Sequence, residues 1–323
     1  MNGTTAPSPW LPTAPCTPGR CAAHPDSGTD HAAPAAGAAL AAVRLAAGIG
    51  TVLLGILLAP AAGLLRPPVR AALVRFWVRA VVRAFGVRVR FEGTAVPAAG
   101  PLLVVANHVS WLDIPLLAAV LPGRMVAKAE VRHWPVLGTI AALGGTLFID
   151  RDRLRALPGS VSAMAGVLAA GGRVVVFPEG STWCGRAGGR FRPAAFQAAL
   201  DSGADVQPVR IDYRPTGAAA YVGDDPLGAS LWRIVTTRRL TAEVRTLTPI
   251  SGTRFPDRRS LAAAAQRAVA PQQAVAPQRA VAPQRAVFPQ RAVANDSANL
   301  PFSSVHHRDR SRPASASSSR TPA

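Results

Sequence analysis

The chain has 323 residues, of which 49% are apolar and 16% charged. That balance excludes a disordered acidic protein, a collagen and a disulfide scaffold, and it leaves enough apolar surface for a sizeable core. The 36 basic residues outnumber 17 acidic ones for a net charge of +19, which points to an anionic partner, either a nucleic acid or an anionic membrane face. At roughly 150 residues per domain the length allows two domains, but the composition is uneven, and one folded unit with tails fits it better.

Residues 1–37 are rich in Pro, Ala, Thr and Gly with almost no large apolar residues, too few to offset the entropy of ordering. They read as disordered, or as an overlong start of the reading frame. Cys16 and Cys21 have four residues between them and no second Cys/His pair at zinc spacing, so neither a metal site nor a disulfide framework is expected. Cys184 reads as a free thiol in a reducing compartment.

From Leu45 to Leu65 run 21 residues without a charge, which as a helix would reach about 30 Å, the thickness of a bilayer core. Gly48, Gly50, Gly55 and Gly63 weaken that helix, and Pro60 would kink it. Three readings stay open: a spanning helix, a half-inserted or interfacial hairpin, and a cleaved signal peptide, the last with Arg44 as its only nearby charge. Arg66 to Arg90 holds seven Arg and no acid. On a helix, Arg75, Arg79 and Arg83 form one stripe with Leu73, Trp77, Ala80 and Ala84 opposite, a basic amphipathic helix suited to an anionic membrane surface. The positive-inside rule then holds the rest of the chain at the cytoplasmic face.

Residues 87–259 read as an α/β domain with a central, largely buried sheet flanked by helices. Strands are expected at Val87–Phe91, Leu102–Ala106, Thr146–Ile149, Arg173–Phe177 and Val206–Ile211, and helices at Trp111–Val120 and Ser160–Ala170. Residues 38–86 form the membrane-anchoring part. Beyond Arg259 order is expected to stop, because Gln266 to Ala294 repeats a hexapeptide with prolines at 271, 277, 283 and 289, which forbids a continuous helix. Residues 260–323 therefore read as an extended tail. The adjacent His306 and His307 in it lack the further ligands a metal site needs.

Three constellations carry chemistry. After the strand Leu102–Ala106 comes Asn107-His108-Val109-Ser110-Trp111-Leu112-Asp113. His108 and Asp113 can meet if the histidine sits in the turn before a helix and the aspartate in its first turn. The plainer alternative has Ser110 as the N-cap, Asp113 as a capping acid at N3 and His108 as a turn residue. Phe177-Pro178-Glu179-Gly180-Ser181 comes after a buried strand, placing Glu179 where α/β sheets put their ligands, or in a bland strand-end turn. Gly145 to Arg151 delivers Arg151 from another strand end, to grip an anion or to pair with Asp150 or Asp152.

Together these blocks resemble the glycerolipid acyltransferases, in particular the 1-acylglycerol-3-phosphate (lysophosphatidate) acyltransferases. His108-x4-Asp113 matches the family's histidine block, Gly145–Arg151 its arginine block, Phe177–Gly180 its third block and Val206-Gln207-Pro208-Val209 its fourth. Lys128-Ala129-Glu130 and Trp134 to Gly138 look like the family's intervening stretch. The likeness covers about residues 70–250. It departs after Glu179-Gly180, where Ser181-Thr182-Trp183 stand in the places of the Thr-Arg of many members. Acceptors such as lyso-ornithine lipid therefore stay open beside 1-acylglycerol-3-phosphate.

What the resemblance implies is acyl transfer from a thioester of coenzyme A or acyl carrier protein to a lysophospholipid hydroxyl, with no other cofactor and no metal. His108 would be the base and Asp113 its orienting partner, while Arg151, Glu179, Gly180, Ser181 and Lys128 would hold substrate. A glycerol hydroxyl is a poor nucleophile and needs a positioned base, and imidazole titrates in the useful range. No Gly-x-Ser-x-Gly elbow occurs, and neither Ser181 nor Cys184 has a base of its own, so a covalent acyl-enzyme is not expected. The other classes are a membrane-surface protein that keeps the fold without turnover, and a nucleic-acid binder suggested by charge alone. The second lacks any helix-turn-helix, zinc or RNA-binding signature.

Overall fold

A computed structural model describes residues 13–22, 37–97, 100–134, 137–150 and 153–270. All of them lie in one unit, Met1–Gln272. The expected disorder of the first twelve residues, much of the hexapeptide run, the histidine pair and Arg151 lie outside the described residues.

The helices are α1 (Ala38–Gly63), α2 (Pro67–Ala84), α3 (Asp113–Val120), α4 (Leu137–Leu143), α5 (Leu157–Ala169), α6 (Ala194–Ser202), α7 (Leu227–Thr236) and α8 (Arg258–Val269). The strands are β1 (Arg88–Gly93), β2 (Leu102–Ala106), β3 (Arg124–Lys128), β4 (Leu147–Ile149), β5 (Arg173–Val176), β6 (Asp205–Arg214) and β7 (Thr241–Thr246). They form one seven-stranded sheet in the order β1-β7-β6-β2-β5-β3-β4. Strands β6, β2, β5, β3 and β4 run parallel; β7 pairs antiparallel with β6, and β1 runs parallel to β7. The chain segments that leave β2, β5, β3 and β4 consequently emerge along one edge of the sheet.

The sheet is covered on both faces, and the two-residue period of a strand divides the core. On β2, Leu102, Val104 and Ala106 join a cluster with Val81 and Val82 of α2, Phe85 just after it, and Leu116 and Leu117 of α3. Leu103 and Val105 point the other way, to Met164 and Leu168 of α5, Phe196 of α6 and Leu261 of α8. All five β2 residues are buried.

The five expected strands are present within a few residues. β3 and β7 go beyond that expectation: β7 alternates buried Ala242, Val244 and Thr246 with half-buried neighbours, while β3 is short and only half-covered. Order continues past Arg259, contrary to the expectation from the repeat. Asp257 Oδ1 accepts the N–H groups of Arg259 and Ser260 at 2.7 and 3.0 Å, starting α8. Leu261, Ala262, Ala265 and Val269 then fall on one buried face. The helix takes in the start of the repeat because the first proline comes only at 271, beyond its last turn.

The N-terminal expectations also change. Residues 13–22 pack on the domain, with Cys16 buried. Helix α1 runs to Gly63, past Pro60, and the short link Leu64–Arg66 folds α2 back against it as a helical hairpin. Two of the four glycines read as weakening α1 are packing positions: a Cβ at Gly48 would fall 2.2 Å from the Phe85 ring, and one at Gly55 would fall 2.1 Å from Trp77, while Gly50 and Gly63 face open space. On α2 the inward face is Val78, Val81 and Val82, continued by Phe85 at its C-terminal cap, with Trp77 turned to α1, whereas Leu73 is exposed. The register of burial is set by α1 and α3 together, which a single-helix projection does not contain.

Candidate active site

The site is built at the strand edge where β2 ends. The loop from Asn107 to Ser110 is fixed from both sides. Asn107 donates its amide to Ile211 C=O and accepts the Ile211 N–H, both at 2.8 Å, so it is stitched to β6. Trp183 N–H donates to His108 C=O at 2.7 Å, and Tyr221 N–H to Val109 C=O at 2.9 Å.

Within that loop His108 Nδ1 lies 2.8 Å from Asp113 Oδ2. Asp113 is fully buried and begins α3. Its Oδ2 also accepts the N–H groups of Val109 and Ser110 at 2.7 and 2.8 Å, and its Oδ1 accepts the Tyr213 hydroxyl at 2.5 Å. A carboxylate is acceptor-only, so these four donors suit it. The same oxygen pairs with His108 and takes the main-chain N–H groups of the loop, but Asp113 stands first in α3 and not at the third helical position the capping alternative gave it. Ser110 does not cap as expected: Leu112 occupies the N-cap place, and Ser110 Oγ accepts the Leu112 N–H at 3.3 Å in the preceding turn.

With Nδ1 donating to Asp113, Nε2 is left as the basic atom of the neutral ring. Phe177 stacks on the imidazole, centroids 4.0 Å apart and 15° between planes, which fixes its rotation. The side chain of His108 keeps 18% of its exposure, enough for a reacting group to reach it. A pocket of about 140 Å³ opens there, lined among others by Asn107, His108, Glu179, Trp183, Arg186 and Arg210. The Trp183 indole N–H is buried without a hydrogen-bond partner among the described residues. Arg210 is held by Asp212 through two bonds of 2.7 and 2.6 Å.

Glu179, expected at the acceptor, lines the same pocket and has both carboxylate oxygens on main-chain N–H groups. It is buried, with Oε2 accepting the His108 N–H at 2.9 Å and Oε1 the Gly189 N–H at 3.0 Å. It thus ties the Asn107–Ser110 loop to the Gly185–Gly189 stretch. The physical reason is that a carboxylate at a buried strand end takes the nearest donors, and here both are main-chain N–H groups. Burial pushes its pKa up to about 7, against the lowering effect of those two N–H groups, and the Asp113 charge adds to the rise. Tyr213 is raised well above its ordinary value by burial and then by the Asp113 charge, so its hydroxyl stays a donor.

Gly180 closes the turn after Pro178, its N–H on Phe177 C=O at 3.0 Å and its φ at +75°, a conformation that favours glycine. Ser181 comes next, half-buried. Lys128 ends β3 on the same sheet edge but is exposed, and β5 lies between β3 and β2, so the structure does not bring it to His108. Tyr213, Gln266 and Trp183 are site residues that sequence reasoning missed. Tyr213 had a signal, since it continues the alternation of Val209 and Ile211 on the face toward α3. Gln266 had none: it bridges Phe191 N–H and Gly189 C=O from within the repeat.

The three cysteines also converge. Burial pushes the Cys16 thiol up to about 12. At Cys184 burial acts the same way, but the N–H groups of Arg186 and Ala187 and the neighbouring thiols outweigh it and hold the pKa low.

Residues 88–212 match the family model "Acyltransferase". A lyso-ornithine lipid O-acyltransferase from Pseudomonas aeruginosa is 39% identical over 212 residues, covering 62% of this chain and 78% of that protein. A 1-acyl-sn-glycerol-3-phosphate acyltransferase from Neisseria gonorrhoeae is 40% identical over 148 residues, 44% of this chain and 58% of that one. Among solved structures, a 1-acyl-sn-glycerophosphate (LPA) acyltransferase from Thermotoga maritima shares the fold, with a TM-score of 0.57 at 22% identity over 72% of this chain and 92% of that one.

Proposed function

The chain belongs to the acyltransferase family, and on that basis we propose that it acylates the free hydroxyl of a lysophospholipid, with 1-acylglycerol-3-phosphate as acceptor and phosphatidic acid as product. The observation that carries the reading is the His108–Asp113 pair at 2.8 Å, with the ring stacked and its loop pinned at the mouth of a pocket. His108 Nε2 takes the acceptor's proton as its oxygen attacks the thioester carbonyl. The C–O bond forms, the C–S bond breaks, and the proton leaves with the thiolate, a good leaving group that needs little acid help. Asp113 holds Nδ1–H and balances the imidazolium.

The donor is a thioester of coenzyme A or acyl carrier protein. Arg151 grips the acceptor's anionic group, and Gly180 and Ser181 also hold the acceptor; this rests on the motif. Lyso-ornithine lipid is a second acceptor reading, favoured by Ser181-Thr182 after the Glu-Gly turn and by the longer match to the Pseudomonas relative. The protein works at the membrane, where an acceptor with a long acyl chain resides, and the arginine-rich residues 66–90 favour its cytoplasmic face.

The test is transfer of labelled acyl chains from both thioesters to a panel of lysolipids, by wild type and His108→Ala. The variant is expected to lose at least ~10²-fold in rate. Near-normal turnover by His108→Ala would remove the mechanism, and a wild type inactive on every lysolipid would remove the substrate class.

A further inference from the structure

The three cysteines come from two distant parts of the chain, yet their sulfurs all lie within 4.8 Å of one another and none is in a disulfide. Cys16 and Cys21 stand about one helical turn apart in the N-terminal segment, where Cys21 N–H donates to Thr17 C=O at 3.0 Å. Cys184 comes from the loop after β5. Cys16 and Cys184 are buried and Cys21 is half-buried. The surroundings fit the segment closely: a Cβ at Gly217 would lie 2.8 Å from Cys21 O, and one at Gly223 would lie 3.3 Å from Cys16 O. Arg186 donates to Cys21 C=O at 2.9 Å, and the main-chain N–H groups of Arg186 and Ala187 serve the Cys184 sulfur.

Nothing in acyl transfer uses this cluster. Three sulfurs without a carboxylate form a soft donor set, which selects thiophilic cations and rejects Mg²⁺ and Ca²⁺. Zinc bound by thiolates at about 2.3 Å in tetrahedral geometry spaces its sulfurs about 3.8 Å apart, so the cluster needs to contract by only about 1 Å or less. We propose that Cys16, Cys21 and Cys184 form a Zn²⁺ site, with solvent in the fourth position on the half-buried Cys21 side. Binding replaces three S–H protons by three Zn–S bonds, releasing the protons to solvent without any redox step. The resulting single negative charge sits beside the Arg186 guanidinium.

The consequence is a clasp. Cys184 directly succeeds Trp183, whose N–H holds His108 C=O, so the metal ties the N-terminal segment to the loop that fixes the catalytic histidine.

The experiment uses the untagged full-length protein, wild type and His306→Ala/His307→Ala, incubated with Zn²⁺ under reducing conditions and freed of excess metal. Elemental analysis is expected to give one Zn²⁺ per chain in both. Cys184→Ser and Cys16→Ser should fall to background, with unchanged circular dichroism as the check on folding. Cys21→Ser, at the half-buried rim, keeps the test decisive if the buried variants misfold, and should weaken Zn²⁺ binding at least ~10-fold. Co²⁺ in place of Zn²⁺ should show a thiolate charge-transfer band, and chelation should raise proteolysis within residues 13–22. Folded wild type with three thiols open to a disulfide reagent and no bound Zn²⁺, Zn²⁺ retained by the cysteine variants, or a disulfide surviving reduction would each overturn the site.

Discussion

Asp113 concentrates the chemistry of the site in one carboxylate, because four donors from β2's loop, β6 and His108 end on its two oxygens. Asp113→Asn puts an NH₂ group among those donors and can no longer balance an imidazolium. Turnover should fall by ~10² or more, while thermal unfolding measures the structural share separately. Tyr213→Phe removes a single donor, so stability should drop by about 1–3 kcal/mol and kcat more than KM. Unchanged kcat would reduce Tyr213 to packing. Glu179 makes a prediction in pH. Its native value of about 7 lies above the ordinary 4.5, so between those values the native state binds more protons than the unfolded chain. Stability is then full below about 4.5 and declines as pH rises to about 7, by up to ~3 kcal/mol. Unfolding curves across that window should show the slope in wild type and not in Glu179→Gln.

Among the elements, the α1–α2 hairpin is held by glycines rather than weakened by them. Gly48 and Gly55 let the Phe85 ring and Trp77 lie against the α1 backbone, and Trp77 Nε1 donates to Thr51 C=O at 2.9 Å. Arg44 ties the base of α1 to the end of α7 through the carbonyls of Val235 and Thr237. Gly55→Leu should therefore destabilise the hairpin by about 1–3 kcal/mol through overpacking, read as faster proteolysis between Leu64 and Arg66. Exposed Gly50, with nothing near its Cβ, is the matched control and should tolerate the same change.

The proposed membrane attachment belongs to the molecule as a whole. The outer face of α1 leaves Leu53, Leu54, Leu57 and Leu58 exposed at 52 to 75%, beside the exposed arginines of α2. On the proposed membrane-bound reading, these two features are an apolar and an electrostatic hold on a bilayer, the first insensitive to salt and the second screened within about 10 Å at 0.1 M. Full-length protein should stay on anionic vesicles in high salt. Leu53→Gln/Leu57→Gln/Leu58→Gln should fold but float free of them as salt rises, since each buried leucine is worth about 1.5–3 kcal/mol. Retention of the triple variant in high salt would show that this face is not the anchor.

Local and periodic features were legible in the amino-acid order alone. The apolar runs of β2 and β5 read as buried strands because burial on both faces demands it, and the spacing of His108 and Asp113 allowed a strand–turn–helix pairing. Contacts that arrive from far along the chain were settled by the folded arrangement instead. Tyr213 reaches Asp113 across 100 residues, Gln266 reaches Gly189 across 77, and Glu179 turns inward because the His108 and Gly189 N–H groups are there to receive it. The proline repeat and the glycine-rich helix misled for one physical reason: local composition measures what a segment costs to order, whereas the surface it buries is fixed by partners that composition does not contain.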